Sequence, residues 1–432
     1  MKKHLFIITF ALAFASFVIW FAPIVHGNVV NEENIKNGRA VLCRSSGFYD
    51  GTLDTNQITK IIFTQKTPAN YDEKWYANIA KTDDITGYRD GTEVYIVGEH
   101  IYANEYSGYM FAKFNRLGGE LWSTLQSVEG LEMLDLSTCS STEYMFYEQQ
   151  WDDIHGIQHW DMSNVKNVSM MFACCTNLTT LPLSSWDVSN VRNFSGLFSG
   201  HSWAGDMKLT DLPIEKWNTA SATNMSHVFY GCAMLESAPV TYWNVSNVTT
   251  FSHMFADCYS LTNPNIHNWS TDSVKDFNAF FNDCRSLTTI DVGNLKTITC
   301  TQFSQMFEAC RNLTEIIGID KWDVSNANNS AFQQMFHCCE KLEKIDVPHW
   351  VGTPDDIARM FAHCRELQYV NLSGLDLSQV TWVQEAFWDC PRLQEVVWKQ
   401  SYDFSNVTGF DSMWNECNPS VQHTFSEDYA QR

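Results

Sequence analysis

Cysteine is the residue in this 432-residue chain whose chemistry first needs an account, because there are 14 of them. Nine share one recurring position: Cys175, Cys232, Cys258, Cys284, Cys310, Cys339, Cys364, Cys390 and Cys417. In an oxidising compartment, thiols in this number invite a disulfide reading. These nine, however, should project the same way from successive layers of a repeat, and parallel side chains give a poor disulfide dihedral. They read as small buried side chains filling an interior. Cys43, Cys139, Cys174, Cys300 and Cys338 lie off that column and suggest no pairing. His337-Cys338-Cys339 and His363-Cys364 bring soft ligands close together, but zinc needs four converging donors. Neighbouring residues on a helix point about 100° apart, so Cys338 and Cys339 are not expected to share an ion.

Carboxylates form the next set. Asp161, Asp187, Asp323, Asp376 and Asp403 each follow a large apolar residue, mostly Trp, and a ladder of them would suit calcium. Asn218, Asn244, Ser270, Lys296 and Val351 fill the same position elsewhere. Side chains of the Asp, Asn and Ser kind capping their own turn backbone explain the column better. The Asn-x-Ser/Thr sequences at Asn167, Asn244 and Asn312 arise from the repeat consensus itself. There is no nucleophile elbow, zinc-protease motif, phosphate loop or dinucleotide fingerprint. The expectation is a chain that is not an enzyme and holds no metal or cofactor.

The elements carrying these residues follow from an aromatic column: Phe146, Phe172, Phe198, Phe229, Phe255, Phe281, Phe307, Phe336, Phe361, Phe387 and Trp414, mostly 26 residues apart. Cys usually stands three residues later and Leu six later; twelve residues before it stands Trp or a substitute, as at Trp160, Trp186, Trp217, Trp243, Trp269 and Leu295. A fixed period in this range means a stacked array that works through its long surface. Val248, Phe251, Phe255 and Cys258 lie 3, 4 and 3 apart, which predicts one face of a helix of about three turns. Leu287, Ile290, Val292 and Leu295, like Leu342, Ile345 and Val347, then shift to the closer spacing of a short half-buried strand. Stacked in parallel about 4.8 Å apart, eleven such layers give an inner sheet about 50 Å long. Helices outside are wider than strands, so the sheet should be concave.

Trp160 to Leu178 and Trp243 to Leu261 carry a Trp-Asp/Asn-x-Ser-Asn-Val, then Met-Phe-x-x-Cys-x-x-Leu pattern. In this the chain resembles the BspA-type leucine-rich repeat surface proteins over roughly residues 131–417. The resemblance implies a secreted or cell-surface microbial protein presenting a binding surface. Departures are His201 in place of the Cys after Phe198, an insertion around 202–208, and Leu134, Leu295 and Leu375 in place of Trp.

The expected fold is an α/β solenoid: a curved leucine-rich-repeat-like stack with a parallel concave sheet, short outer helices and an N-terminal cap. Residues 1–27, with Lys2 and Lys3 before an apolar run from Leu5 to Val25, read as a signal peptide or an uncleaved signal anchor. Residues 28–57 form a leader segment and 58–130 the cap, with an independent small domain as its alternative. Within it Ile58 to Phe63 reads as a strand, and Val94 to Ala103 as a hairpin turning at Gly98. The array of about eleven units spans 131–420, and 421–432 is a polar tail.

Lys and Arg number 28 against 50 Asp and Glu, a formal charge of −22, which disfavours nucleic acid and anionic membrane surfaces. Membrane contact is expected only through an N-terminal segment left uncleaved. Strand alternation turns Thr289, Asp291, Asp346, Tyr369, Asn371 and Glu395 outward on the concave face, with Pro182, Pro239, Lys344 and Val397 among their neighbours and Trp398 close by. These six are the candidate ligand-binding residues. The partner would be a host or neighbouring-cell surface protein or glycan, in adhesion. The alternative is a structural or self-assembling surface component without a specific ligand.

Overall fold

The computed structural model describes Leu42 and residues 53–425, apart from 79–80, 82, 115–119, 202–203, 328–329 and 400–406. The leader at 1–27, Cys43, Asp403 and the tail beyond 425 lie outside the described residues.

The N-terminal region is a mixed sheet. It contains β1 (Lys60–Thr64), β2 (Glu73–Tyr76), β3 (Ile85–Asp90), β4 (Glu93–Gly98), β5 (Ile101–Tyr102), β6 (Ser127–Glu129) and β7 (Leu134–Asp135). Five of them run in the order β2-β3-β4-β1-β6, with β1 parallel to both β4 and β6. The expected hairpin is displaced. β4 pairs antiparallel with β3, and Gly91, at φ 58°, opens the two-residue loop. A primed hairpin turn needs positive φ there, which glycine supplies without strain. β5 pairs instead with β7, in parallel.

The repeats stack as expected at their aromatic column. Ring centroids from Phe146 to Phe387 follow one another at 5.3–6.0 Å. Phe229, Phe255 and Phe281 lie within 4° of parallel. The column continues back to Phe111, 5.4 Å from Phe146, and forward to Trp414. Buried side chains from Leu42 to Met413 form one continuous core.

Among the described residues there is no α-helix where the outer helices are expected, and the helical segments are three-residue 3-10 turns. Val248 to Cys258 runs as successive tight turns. Met254, Ala256 and Cys258 donate back three residues, while Phe251, His253, Phe255 and Asp257 send their N–H groups to the next coil, at 2.8–3.1 Å. His253 and Asp257 sit at φ 57° and 59°. A turn with positive φ at its third residue breaks the helical ladder every four residues. It preserves the 3/4 spacing of the buried face, which is why that spacing resembled a helix.

The sheet is shorter than eleven layers. β8 (Thr289–Asp291) pairs in parallel with β9 (Glu315–Ile317). β10 (Lys344–Asp346), β11 (Tyr369–Asn371), β12 (Glu395–Trp398) and β13 (Gln422–Phe425) form a second parallel sheet, which carries strand pairing into the segment read as tail. In the earlier coils Pro182, Pro213 and Pro239 are bridged by bonds from Leu183, Ile214 and Val240 N–H to the carbonyls of Leu181, Leu212 and Ala238. Each is a three-residue turn centred on a proline, which has no N–H to give a sheet.

Candidate functional site

Side-chain hydrogen bonds tie the coils together at constant positions. Indole Nε1 of Trp160, Trp186, Trp217, Trp243, Trp269, Trp322 and Trp350 donates to a carbonyl of the preceding coil at 2.7–3.3 Å. Asn164, Asn190 and Asn247 do the same from their amides. Asp161, Asp187, Asn244, Asp323 and Asp376 accept the N–H two residues on, at 3.0–3.1 Å, so this column is engaged in shaping its turns. That bond and the following serine hold the Asp187 and Asp376 carboxyls below the usual range.

The cysteine column has a definite role. The thiols of Cys175, Cys232, Cys258, Cys284, Cys310, Cys339, Cys364 and Cys390 donate to the carbonyl of the aromatic residue one coil earlier, at 3.0–3.4 Å. All described cysteines are free thiols. Burial pushes this column's fully buried thiols well up from their ordinary value, which keeps the S–H proton available for donation.

Against this uniform frame, the sheet face varies from rung to rung. Thr289 and Asp291 flank buried Ile290 on β8 and are exposed. They align with Glu315 and Ile317 of β9. Asp346, Tyr369, Asn371 and Glu395 come together on the second sheet, where Lys344, Tyr369, Glu395 and Gln422 align in one row and Asp346 and Asn371 in the next. The Asn371 amide donates to Asp346 at 2.9 Å. Lys344 lies 2.8 Å from Asp346 and 5.0 Å from the centre of the Tyr369 ring. The six predicted residues therefore divide between two sheets. Val397 and Trp398, expected near this surface, are both 2 % exposed, and Trp398 packs edge-on against Phe387 and Trp414. Ile317, exposed on β9, also belongs to the face; the same alternation that selects Asp291 selects it.

A second surface went unnoticed in the sequence. Residues from two places before to four places after the column aromatics form a strip of titratable groups on the stacked turns. His227 and His253 stack at 4.7 Å. Burial drives His253 down to about 4 and His227 well below its ordinary value. Burial also raises Asp257 to about 6. Arg285 forks onto Asp283 at 2.8 and 2.6 Å and lies 4.1 Å over the Tyr259 ring. Farther along, His337 meets Glu308 at 2.9 Å, and His363 meets Asp389 at 3.0 Å. Burial opposes the Asp389 charge, but His363 and Arg365 outweigh it and hold the carboxyl below its usual range. The sequence trace of this strip is partial: Asp257, Asp283, Glu308, His337, His363 and Asp389 fall at the variable places inside the Phe-x-x-Cys motif, whereas His227, His253, Tyr259 and Arg285 lie outside it.

A family described as "Mycoplasma protein of unknown function, DUF285" matches residues 110–212, 201–318 and 280–394. No curated protein matches the chain. Among solved structures, the chain is similar to a leucine-rich repeat protein from Bacteroides ovatus, at 14% identity and TM-score 0.31, covering 84% of this chain and 92% of that one. It is also similar to a leucine-rich repeat protein from Eubacterium ventriosum, at 12% identity and TM-score 0.33, covering 81% and 96%. An internalin from Listeria monocytogenes matches at 13% identity and TM-score 0.24, covering 70% and 81%.

Proposed function

We propose that this chain, which belongs to the family described as Mycoplasma protein of unknown function, DUF285, is an exported, non-catalytic interaction scaffold of the BspA type. In this reading its sheet face binds a protein or glycan on a host or neighbouring cell. One observation carries the proposal: coil-tying positions repeat almost unchanged, while the aligned sheet row reads Lys344, Tyr369, Glu395, Gln422. Stability alone asks for sameness from rung to rung; a surface whose chemistry changes along its length suits recognition.

Tyr369 is the anchor of the proposed site, since tyrosine is enriched at the energetic centre of binding surfaces. Asp291, Glu315, Asp346 and Glu395 give the face an acidic cast, so the partner is basic or neutral there. The test is capture of surface proteins and glycans by residues 28–432, followed by affinity measurement on each partner found. Tyr369→Ala with Glu395→Ala should weaken binding about tenfold or more, whereas Tyr259→Ala on the turn surface should not. Unchanged affinity of the double variant for every partner rejects the assignment. Concentration-dependent light scattering with no partner captured favours a self-assembling component instead.

A further inference from the structure

Cys338 differs from the column thiols in placement and company. It stands two places after Phe336, at φ 60° on the turn surface, and is only half-buried. Its Sγ lies 3.5 Å from His337 Nε2. His337 Nδ1 lies 2.9 Å from Glu308 Oε1 on the preceding coil. The other Glu308 oxygen accepts from the Asn282 amide at 2.9 Å and the Gln305 amide at 2.6 Å, so this carboxylate cannot turn away.

That arrangement fixes the imidazole. A carboxylate ringed by donors accepts the Nδ1 proton, which fixes the ring with Nε2 directed at the thiol sulfur. A nucleophile within reach of a base, which is itself oriented by a third group, is the geometry of an activated side chain. Burial works against a charged His337, but its bonds to Cys338 and Glu308 prevail and raise it to about 9. The remaining charged groups nearby are His363, whose ring lies 5.6 Å from that of His337, with its partner Asp389, and Arg365 and Glu340. Ala309 and Ala362 occupy the equivalent places on the adjoining coils, one beside each of Cys338 and His337. Cys417, the other half-buried thiol described, donates to the Cys390 carbonyl at 3.4 Å instead.

We propose that Cys338 is a nucleophilic thiol that exchanges with low-molecular-weight disulfides, with His337 as the partner that holds its proton and Glu308 as the positioning residue. The proton shared between Sγ and His337 Nε2 is held on the imidazole as the sulfur attacks one sulfur of the disulfide. A new S–S bond forms on Cys338 as the old one breaks, and the departing thiolate leaves as a thiol with the proton from Nε2. Cys338 is oxidised, the leaving group is reduced, and no further reactant is needed.

The test uses the full chain with 5,5′-dithiobis(2-nitrobenzoate), followed by absorbance and by peptide mapping after less than one equivalent has reacted. The expected first-labelled peptide contains Cys338, and Cys338→Ser abolishes the fast phase. His337→Gln should slow that phase at pH 6 about tenfold or more. Glu308→Gln should slow it less and steepen its pH profile towards that of an ordinary thiol. Circular dichroism confirms that each variant is folded, and mapping of the unaltered chain needs no variant. First labelling at any other cysteine overturns the proposal. So does a His337→Gln rate within about twofold of the parent, or an unaltered pH profile in Glu308→Gln.

Discussion

Removing the ring at Phe255 probes the stacking directly. This side chain is fully buried, with Phe229 at 5.6 Å on one side and Phe281 at 5.7 Å on the other, both nearly parallel, and Phe280 tilted against it at 5.4 Å. Phe→Ala in a core costs about 3–5 kcal/mol. The value here belongs at the upper end, because two aromatic stacks, worth about 0.5–1.5 kcal/mol each beyond buried area, disappear together. Neighbouring coils are held by the backbone as well as by rings, so the cavity cannot collapse without breaking the bonds from Phe255 N–H to Phe280 and from Cys284 to Phe255. Urea unfolding followed by tryptophan fluorescence measures the loss. A gap in mid-array also weakens coupling between the coils on either side, so the transition should broaden or split. A loss below about 1 kcal/mol with an unchanged slope would refute the ring column as the source of cohesion.

Cys284→Ala should cost about 1 kcal/mol by removing a donor to the Phe255 carbonyl, while Cys284→Ser should recover part of that; calorimetry on both variants checks the role of the thiol. His337 is raised from 6.5 to about 9 in the fold, so its contribution is complete below pH 6.5 and is lost as pH climbs through 9. The stability gap between the parent and His337→Gln should therefore close over that interval in denaturation curves taken at each pH. His253 has the opposite sign: lowered to about 4, it should make the fold weaken as pH falls from 6.5 towards 4, and less so in His253→Gln. Gly374→Ala would drive a methyl to 2.1 Å from the Trp350 carbonyl, so a loss of about 1–3 kcal/mol is expected in thermal melts.

How far the fold is legible in the sequence depends on whether a signal has one physical cause or two. The Phe column and the strands around Ile290, Ile345 and Val370 are readable because identical side chains at a constant interval arise from stacking and from little else. The turns are not, since apolar residues 3 and 4 apart suit both a helix and a chain of turns with every fourth residue left-handed. Nothing in the composition of His253 or Asp257 announces positive φ. The hairpin falls between β3 and β4 because Asp90-Gly91 is a stronger turn signal than Gly98. Pro182 and Pro239 alternate like outward strand residues, yet their missing N–H argues for turns. The six surface residues follow from alternation, which works where a strand exists. The Asn282–Glu308–His337–Cys338 relay crosses three coils and depends on stacking register, which a linear reading of isolated histidines does not carry.

The bonds between coils have a direction. In the turns the main chain hands its N–H groups onward, as from Phe255 to Phe280, whereas the column Trp and Cys side chains and Asn164, Asn190 and Asn247 reach backward, as from Trp243 to Ile214. Each coil thus meets its predecessor and its successor with complementary edges, and any coil of standard composition fits between any two others. A tandem duplication or loss of one 26-residue period would leave no dangling donor inside the stack, so length is cheap to vary. Leu134, Leu295 and Leu375, which have no indole to reach backward, interrupt that grammar. They mark seams where the column should yield more readily when pulled along its axis.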